Sequence, residues 1–171
     1  VSNWTAKRIM EANEYAASHG LSGAVASQIQ YGLGICTPSD WGDSTIVCMD
    51  NSEYMAYEKL QITVYGYSAQ AEGYFPLYIR GGSGALGSDT RKKYDTPVNR
   101  IRADRLKQLM KKKQYSLSWI MAEYVLRSSF PAMFIMGGSN ESRMKEIMGQ
   151  YNCGKKQLTD EEWEIILKTT P

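Results

Sequence analysis

Strand-like and helix-like segments alternate along this chain, and this alternation constrains the fold more than any other feature. Runs rich in small and β-branched residues predict strands at Ala24–Gln30, Gln61–Ser68 and Ala132–Met136. Whole helices are predicted between them, and strands connected in this way pair in parallel. We therefore expect an α/β fold with parallel strands, whose functional face lies at the carboxyl ends of the strands.

The helices are predicted from apolar residues at helical spacing and from capping residues. Their ranges are Thr5–Ser18, Asn51–Leu60, Pro97–Lys113, Leu117–Arg127, Glu141–Met148 and Asp160–Lys168. Two segments show no periodicity and are predicted to be irregular, the polar loop Pro38–Ser44 and the long stretch Ala69–Thr96. Within that stretch Gly82–Gly87 matches G-x-G-x-x-G, but no helical pattern follows, which favours a loop over a dinucleotide-binding turn.

The chain opens at Val1-Ser2-Asn3-Trp4, without an initiator methionine and without a first strand. This opening is typical of a strand end that turns into the helix at Thr5. We expect the beginning of that strand to be absent, so that residues 1–171 form a single, partial domain. Open strand edges invite aggregation, so we expect either the missing half of the protein or self-association into a homo-oligomer to cover them.

Composition argues against several classes of protein. The 171 residues carry a net charge of +2, with 43% hydrophobic and 22% charged residues, which is typical of a globular domain. No apolar run approaches the roughly 18 residues of a membrane span, and no signal peptide opens the chain, so we expect a cytoplasmic protein that does not bind membranes. Cys36, Cys48 and Cys153 lack metal-site spacing and are expected to be reduced thiols. His19, the single histidine, is expected at a helix end, so no metal site is predicted.

Two further segments could contact charged ligands. Basic residues outnumber acidic ones from Arg91 to Lys113, but a solvated helix explains them, and no nucleic-acid binding is expected. Gly137-Gly138-Ser139-Asn140 opens a predicted helix whose backbone N–H groups suit a phosphate. Arg143, one turn further, could contact the same phosphate or pair with Glu146 on the surface. The spacing leaves both interpretations open.

Motifs at four strand ends resemble those of the aldo-keto reductases, in the family's order. They are Val1-Ser2-Asn3-Trp4, Ser27-Gln28-Ile29-Gln30-Tyr31, Gly66-Tyr67-Ser68 with Gly73, and Gly137-Gly138-Ser139-Asn140. The resemblance implies the C-terminal part of a (β/α)8 TIM barrel, from the end of strand five through strand eight and the C-terminal helices. It implies hydride transfer between NADPH and an aldehyde or ketone, with the family's catalytic Asp, Tyr, Lys and His all before Val1. This chain would then hold the cofactor, carry no catalytic residue and be inactive alone.

The resemblance also implies which residues bind the cofactor. Ser2, Asn3 and Gln28 would hold the nicotinamide carboxamide, and Tyr67 would stack on the nicotinamide ring. The segment that would wrap the pyrophosphate contributes Ser68, Gln70, Glu72 and Gly73. The residues that would grip the adenosine end are Ser139, Asn140, Arg143 and Glu146. Arg143 would favour the 2′-phosphate of NADPH over NADH.

The sequence departs from the family's pattern at three places. Ser68-Ala69-Gln70 stands for Ser-Pro-Leu, Gln30 for a glutamate and Ile147 for an asparagine. Two other classes of function stay open. One is a non-catalytic, NADP(H)-binding regulatory subunit resembling potassium-channel β-subunits, and the other is a basic partner-binding module at Arg91–Lys113. The sequence does not predict which carbonyl compound is the substrate, because the missing loops would form part of the substrate pocket.

Overall fold

The computed structural model describes residues 1–112, 116–137, 141, 142, 144, 145, 148, 149 and 158–168. Three strands, β1 (Ala26–Gln30), β2 (Thr63–Tyr67) and β3 (Ala132–Phe134), form a sheet in that order. Both neighbouring pairs are parallel. The predicted parallel α/β arrangement is therefore confirmed.

The helices between and after the strands follow most of the predicted positions. They are α1 (Ala6–Ser18), α2 (Pro38–Trp41), α3 (Asn51–Leu60), α4 (Tyr74–Gly81), α5 (Ser88–Tyr94), α6 (Pro97–Lys112), α7 (Leu117–Leu126) and α8 (Asp160–Leu167). Capping side chains set their beginnings: Thr5 accepts from the N–H of Arg8, and Thr159 and Glu162 form the predicted capping box of α8. Of the helix predicted over 141–148, the described residues 141, 142, 144, 145 and 148 are helical, and the other three fall outside the described part of the chain.

The prediction of irregular structure is wrong in two segments. Pro38–Ser44 begins with α2, which Thr37 and Asp40 cap reciprocally. The stretch Ala69–Thr96 contains α4, α5 and a 3-10 turn at Gly82–Ala85. These helices have only four, eight and seven residues, too few for an apolar period to stand out. The G-x-G-x-x-G match follows helix α4 rather than a strand, as expected for a segment that is not a dinucleotide-binding turn. The expectation that no helix follows it is wrong, because α5 begins at Ser88.

Helices cover one face of the sheet, and the first hydrophobic core lies between them. Ile29 of β1 and Val64 of β2 are both completely buried there. Ile9 of α1, Tyr57 of α3 and Phe130 pack against them. A second core joins α4 to α8, including Phe75, Tyr94, Leu106, Ile120 and Trp163.

The opposite face of the sheet is exposed. The strand register places Gln28, Tyr65 and Met133 in one row across β1, β2 and β3. Tyr65 is 36% exposed, Met133 53% and Ile135 41%. These four residues alternate with the buried ones and define what we term the open sheet face. Exposed apolar patches of this kind are typical of interaction surfaces.

The amino-terminal residues pair in parallel with β1. Ser2 forms a parallel bridge with Gln28, and the N–H of Asn3 donates to the Gln28 carbonyl oxygen at 2.9 Å. Further along β1, Gln30 forms a parallel bridge with Cys48. The position of residues 1–3 agrees with the strand end that the sequence predicts.

An ion pair joins α5 to α6. The Nε and Nη2 atoms of Arg100 donate to the two carboxylate oxygens of Asp95 at 2.7 and 2.9 Å. The side chain of Asp95 is only 3% exposed, whereas that of Arg100 is 48% exposed. Above all, the hydrogen bonds from Arg100 lower the pKa of Asp95.

We expect Asp95→Asn to lower the free energy of unfolding at pH 7 by about 0.5–1 kcal/mol, because half of this pair faces solvent. A carboxylate with a lowered folded-state pKa stabilises the fold above its unfolded pKa of about 3.9, and this contribution is lost as pH falls through the lower folded value. The gap between wild type and variant should therefore close below about pH 4. Urea unfolding across pH measures it, with the exposed Asp104→Asn as control. A gap that stayed constant with pH would contradict the role of this charge.

Candidate functional site

Hydrogen bonds connect four of the predicted cofactor residues, Ser2, Asn3, Gln28 and Tyr67, near the carboxyl ends of neighbouring strands. The hydroxyl of Tyr67, the last residue of β2, donates a hydrogen bond to Oδ1 of Asn3 at 3.0 Å. Asn3 and Ser2 are held beside Gln28 by backbone hydrogen bonds. Ser2 adds a hydrogen bond from its hydroxyl to the Gln28 carbonyl oxygen at 3.4 Å. We term this set of residues the rim.

Asn3 has its side-chain oxygen held by two donors within the protein. Its Oδ1 accepts from Tyr67 and also, at 3.4 Å, from the N–H of Val47. These two donors assign the amide oxygen to the protein side. The Nδ2 group is the donor that this side chain retains. Gln28, whose side chain is exposed, offers both a donor and an acceptor nearby.

Tyr67 remains a hydrogen-bond donor at neutral pH. Burial, above all, raises its pKa to about 12, so that the phenol stays protonated. Its ring contacts the indole of Trp41 edge to face, with ring centroids 6.1 Å apart at an interplanar angle of 84°. The ring is half-buried, which leaves part of its surface accessible to a planar ligand.

A line of contacts continues from Trp41 to the segment after β2. Nζ of Lys93 lies 4.1 Å from the centroid of the Trp41 ring and 2.6 Å from a carboxylate oxygen of Glu72. Sequence reasoning missed Trp41 and Lys93, because one falls in a segment predicted as a loop and the other in a basic run. A tryptophan within a polar segment is the one signal the sequence offers for this contact.

The backbone after β2 is strained where pyrophosphate contacts were predicted. Ser68, Ala71 and Glu72 have φ values of 50°, 48° and 51°, in the left-handed region that favours glycine. Asn3, at the rim, has a φ of 52°. Each such residue costs roughly 1–3 kcal/mol, and strain of this kind concentrates at functional sites. Three of these four residues, Asn3, Ser68 and Glu72, are among the predicted cofactor residues.

The other residues of this turn have defined positions. Gly73 precedes α4 with a φ of 80°, and its N–H donates to the carbonyl oxygen of Gln70 at 2.9 Å. The side-chain Nε2 of Gln70 is buried and has no hydrogen-bond partner among the residues that the structure describes. Glu72 is engaged by Lys93. The turn thus places Gln70 and Gly73 directly after the rim, while Glu72 has a partner inside the protein.

The structure does not test the residues that the resemblance assigns to the adenosine end of the cofactor. Ser139, Asn140, Arg143 and Glu146 all lie outside the described residues, as does Gly138 of the phosphate-binding motif. Their roles therefore stay predictions from sequence.

The basic run from Arg91 makes contacts within the protein. The Nη2 of Arg91 donates to the carbonyl oxygens of Ser83 and Leu86, at 2.7 and 3.3 Å. Arg102 is buried and donates to the carbonyl oxygen of Leu33. These cations help to hold loops in place, which accounts for part of the run without a charged partner.

The described part of the chain has neither a cluster of metal ligands nor a membrane-spanning helix. No group of three or more His, Cys, Asp or Glu side chains there is arranged to hold a metal ion. No helix in the same residues has the length and apolarity needed to cross a bilayer.

The fold and the rim define a mixed α/β protein with polar side chains at the carboxyl ends of parallel strands. The chain matches the family model of the aldo/keto reductases over residues 1–170 and belongs to that family, which confirms the resemblance. A solved structure similar to it is that of a thermostable aldo-keto reductase in complex with the inhibitor epalrestat. The TM-score is 0.60 at 15% sequence identity, and the match covers 99% of this chain and 47% of the other. No curated protein matches the sequence.

Proposed function

We propose that this chain is the cofactor-binding half of an NADPH-dependent aldo-keto reductase. The observation that carries the proposal is the hydrogen bond from Tyr67 to Asn3. It joins residues 64 positions apart in sequence at the ends of parallel strands, beside Gln28. The amides of Asn3 and Gln28 suit the carboxamide of a nicotinamide. The accessible ring of Tyr67 suits its aromatic ring.

The open sheet face supports the proposal that the fold is part of a (β/α)8 barrel. In such a barrel one side of each strand packs against helices, and the other side fills the interior with side chains from all strands. Ile29 and Val64 occupy the helix side here. Tyr65 and Met133 face the other way and are exposed. The remaining strands of a barrel would cover them, and the chain spans about half the length of its structural relative.

The cofactor would extend from the rim toward the carboxyl end of the chain. Asn3 and Gln28 would bind its carboxamide, Tyr67 its nicotinamide ring, and the strained turn after Ser68 its pyrophosphate. Arg143 would bind the 2′-phosphate, an assignment that rests on sequence alone. NADPH supplies the hydride when it is bound. The residues of this chain hold and orient it, and the carbonyl substrate is protonated by groups of the preceding half.

Replacing Tyr67 tests the cofactor site. In the full-length polypeptide, Tyr67→Ala removes a stacking surface worth about 0.5–1.5 kcal/mol, so the Kd for NADPH should rise about 2- to 13-fold. Isothermal titration calorimetry measures this change. Tyr67→Phe keeps the ring and should change the Kd less than Tyr67→Ala does. An unchanged Kd in Tyr67→Ala would remove Tyr67 from the site.

A turnover assay of the full-length polypeptide separates the enzyme from a regulatory subunit. An aldo-keto reductase oxidises NADPH when aldehydes are supplied, whereas a regulatory subunit binds NADPH without turnover. The present chain alone should show no aldehyde-dependent NADPH oxidation. Turnover by the isolated chain would contradict the proposed division of roles.

The open sheet face should make the isolated chain self-associate. We expect Tyr65→Thr with Met133→Thr to raise the dissociation constant of the associated species about tenfold, which corresponds to a loss of about 1.4 kcal/mol for the two residues together. Analytical ultracentrifugation measures the constant. Met55→Thr is the control, because Met55 is 59% exposed but lies on α3, on the covered side of the sheet. A wild-type chain that stays monomeric at high concentration would contradict this expectation.

A further inference from the structure

Two cysteines that are 12 residues apart in sequence meet in the core behind the rim. The Sγ atoms of Cys36 and Cys48 lie 3.8 Å apart, in direct contact. Cys36 is 4% exposed and Cys48 is 8% exposed. Both are free thiols. The expectation of reduced cysteines did not include this pairing, since the two belong to different segments of the chain.

The backbone around each cysteine is held in place. Residues on both sides of Cys48 are hydrogen-bonded to Gln30, through the Val47 carbonyl oxygen at 3.0 Å and the Met49 N–H at 2.8 Å. Ile35, next to Cys36, exchanges two hydrogen bonds with the side chain of Asn99, at 2.9 and 2.7 Å. The contact between the sulfurs is therefore set by two anchored segments.

We propose that Cys36 and Cys48 form a reversible disulfide and that a peroxide is the oxidant. A disulfide bond is about 2.05 Å long, so the two sulfurs need to approach by less than about 2 Å. Side-chain rotation supplies a movement of this size. The alternative is that both thiols serve only as small apolar residues of the core.

A peroxide can reach the pair. Both cysteines line a cleft of about 500 Å³, together with Thr37, Met49 and Arg102. A water molecule occupies about 30 Å³ in the liquid, so a molecule of hydrogen peroxide fits with ample room.

The surroundings distinguish the two thiols. Nε1 of Trp41 donates a hydrogen bond to Sγ of Cys36 at 3.2 Å, and such a donor stabilises a thiolate. The pKa of Cys36 is lowered, first by its hydrogen bond with Cys48 and then by Trp41. The pKa of Cys48 is raised by the hydrogen bond with Cys36 and by burial. Cys36 is therefore the thiol that attacks, and Cys48 the thiol that resolves.

The chemistry balances in two steps. The Cys36 thiolate attacks one peroxide oxygen, the O–O bond breaks, and the leaving hydroxide takes up a proton to become water. Sγ of Cys48 then attacks the sulfur of the Cys36 sulfenic acid, the S–O bond breaks, and the thiol proton leaves with the oxygen as a second water. Two thiols lose two hydrogen atoms, and one peroxide is reduced to two waters.

Mass spectrometry of the native chain tests the proposal. The reduced chain, in a Cys153→Ser background, is treated with hydrogen peroxide, and circular dichroism confirms that it stays folded. We expect a mass loss of two hydrogen atoms that dithiothreitol reverses. A protease that cleaves before aspartate cuts at Asp40 and Asp43, between the cysteines, so their two peptides stay joined only if a bridge has formed.

Two variants test the assigned roles. Cys48→Ser should stop at a Cys36 sulfenic acid that dimedone traps, and Cys36→Ser should slow oxidation of Cys48 at least tenfold. Three results would overturn the proposal. They are no reaction with peroxide, addition of oxygen to either cysteine without a bridge, and faster oxidation of Cys48 than of Cys36.

Discussion

Replacing Tyr57 by alanine is expected to lower the free energy of unfolding by about 3–5 kcal/mol. Tyr57 lies on α3 and is completely buried in the core between α3 and the sheet. Its ring centroid is 5.7 Å from that of Phe130, and its hydroxyl donates to Oγ of the buried Ser27 at 2.8 Å. Truncation removes an aromatic ring from the centre of this core and leaves Ser27 without its donor. A domain of this size is stable by only about 5–15 kcal/mol, so the loss is a large fraction of the total.

Two further variants separate the causes of this loss. Tyr57→Phe keeps the ring and removes only the hydrogen bond to Ser27, which should cost about 1 kcal/mol. Tyr15→Ala removes a tyrosine that is 61% exposed on α1 and should change stability by no more than about 0.5 kcal/mol. Guanidinium unfolding followed by circular dichroism compares the three variants. If Tyr57→Ala lost no more than Tyr57→Phe, the packing of the ring would not contribute to the core.

The regular elements could be predicted because their local signals agree with the tertiary fold. In α1, Thr5 caps the helix and Gly20, with a φ of 66°, follows its end, while Ile9 is buried. In β1 and β2, small and β-branched residues mark strands between helices. Their predicted bounds were too wide, partly because Gln61 has a φ of 52° and caps α3 instead of beginning β2.

The short helices and the contacts between distant segments could not be predicted in this way. α2 and α5 are held by packing: Trp41 contacts Tyr67 and Lys93, which lie 26 and 52 positions further along. The meeting of Cys36 and Cys48 likewise depends on where Gln30 and Asn99 anchor two separate loops. Local sequence patterns do not predict contacts between residues that are so far apart in the chain.

The rim lies between these two cases. Parallel pairing alone predicts that Asn3 and Tyr67 end at the same edge of the sheet, and they do. Their hydrogen bond, and the left-handed backbone of Asn3 and Ser68, required the coordinates. The pairing of Glu72 with Lys93 was not expected from the role that the resemblance implies for Glu72.

The second large effect is expected at Asn99, where alanine should lower the free energy of unfolding by about 3 kcal/mol. Asn99 is completely buried in α6. Its Oδ1 accepts from the N–H of Ile35 at 2.9 Å, and its Nδ2 donates to the carbonyl oxygens of Ile35 and Tyr94 at 2.7 and 2.8 Å. Truncation removes the partner of the buried Tyr94 carbonyl oxygen and of the partly buried N–H and carbonyl oxygen of Ile35. Each backbone group that is buried without a partner costs about 1–3 kcal/mol. The estimate assigns about 1 kcal/mol to each of the three groups, because their surroundings can partly relax after the side chain is removed.

Asn13 provides a matched comparison on α1. Its side chain also bridges a backbone N–H and a carbonyl oxygen, both of Ala24, at 2.7 and 3.1 Å. Asn13, however, is only half-buried, whereas Asn99 is completely buried. Water can replace the amide there, so Asn13→Ala should cost about 1 kcal/mol. Urea unfolding of both variants measures the difference. Equal losses would mean that water reaches Ile35 and Tyr94 as easily as Ala24, and the loop after β1 would then not depend on a buried amide for its position.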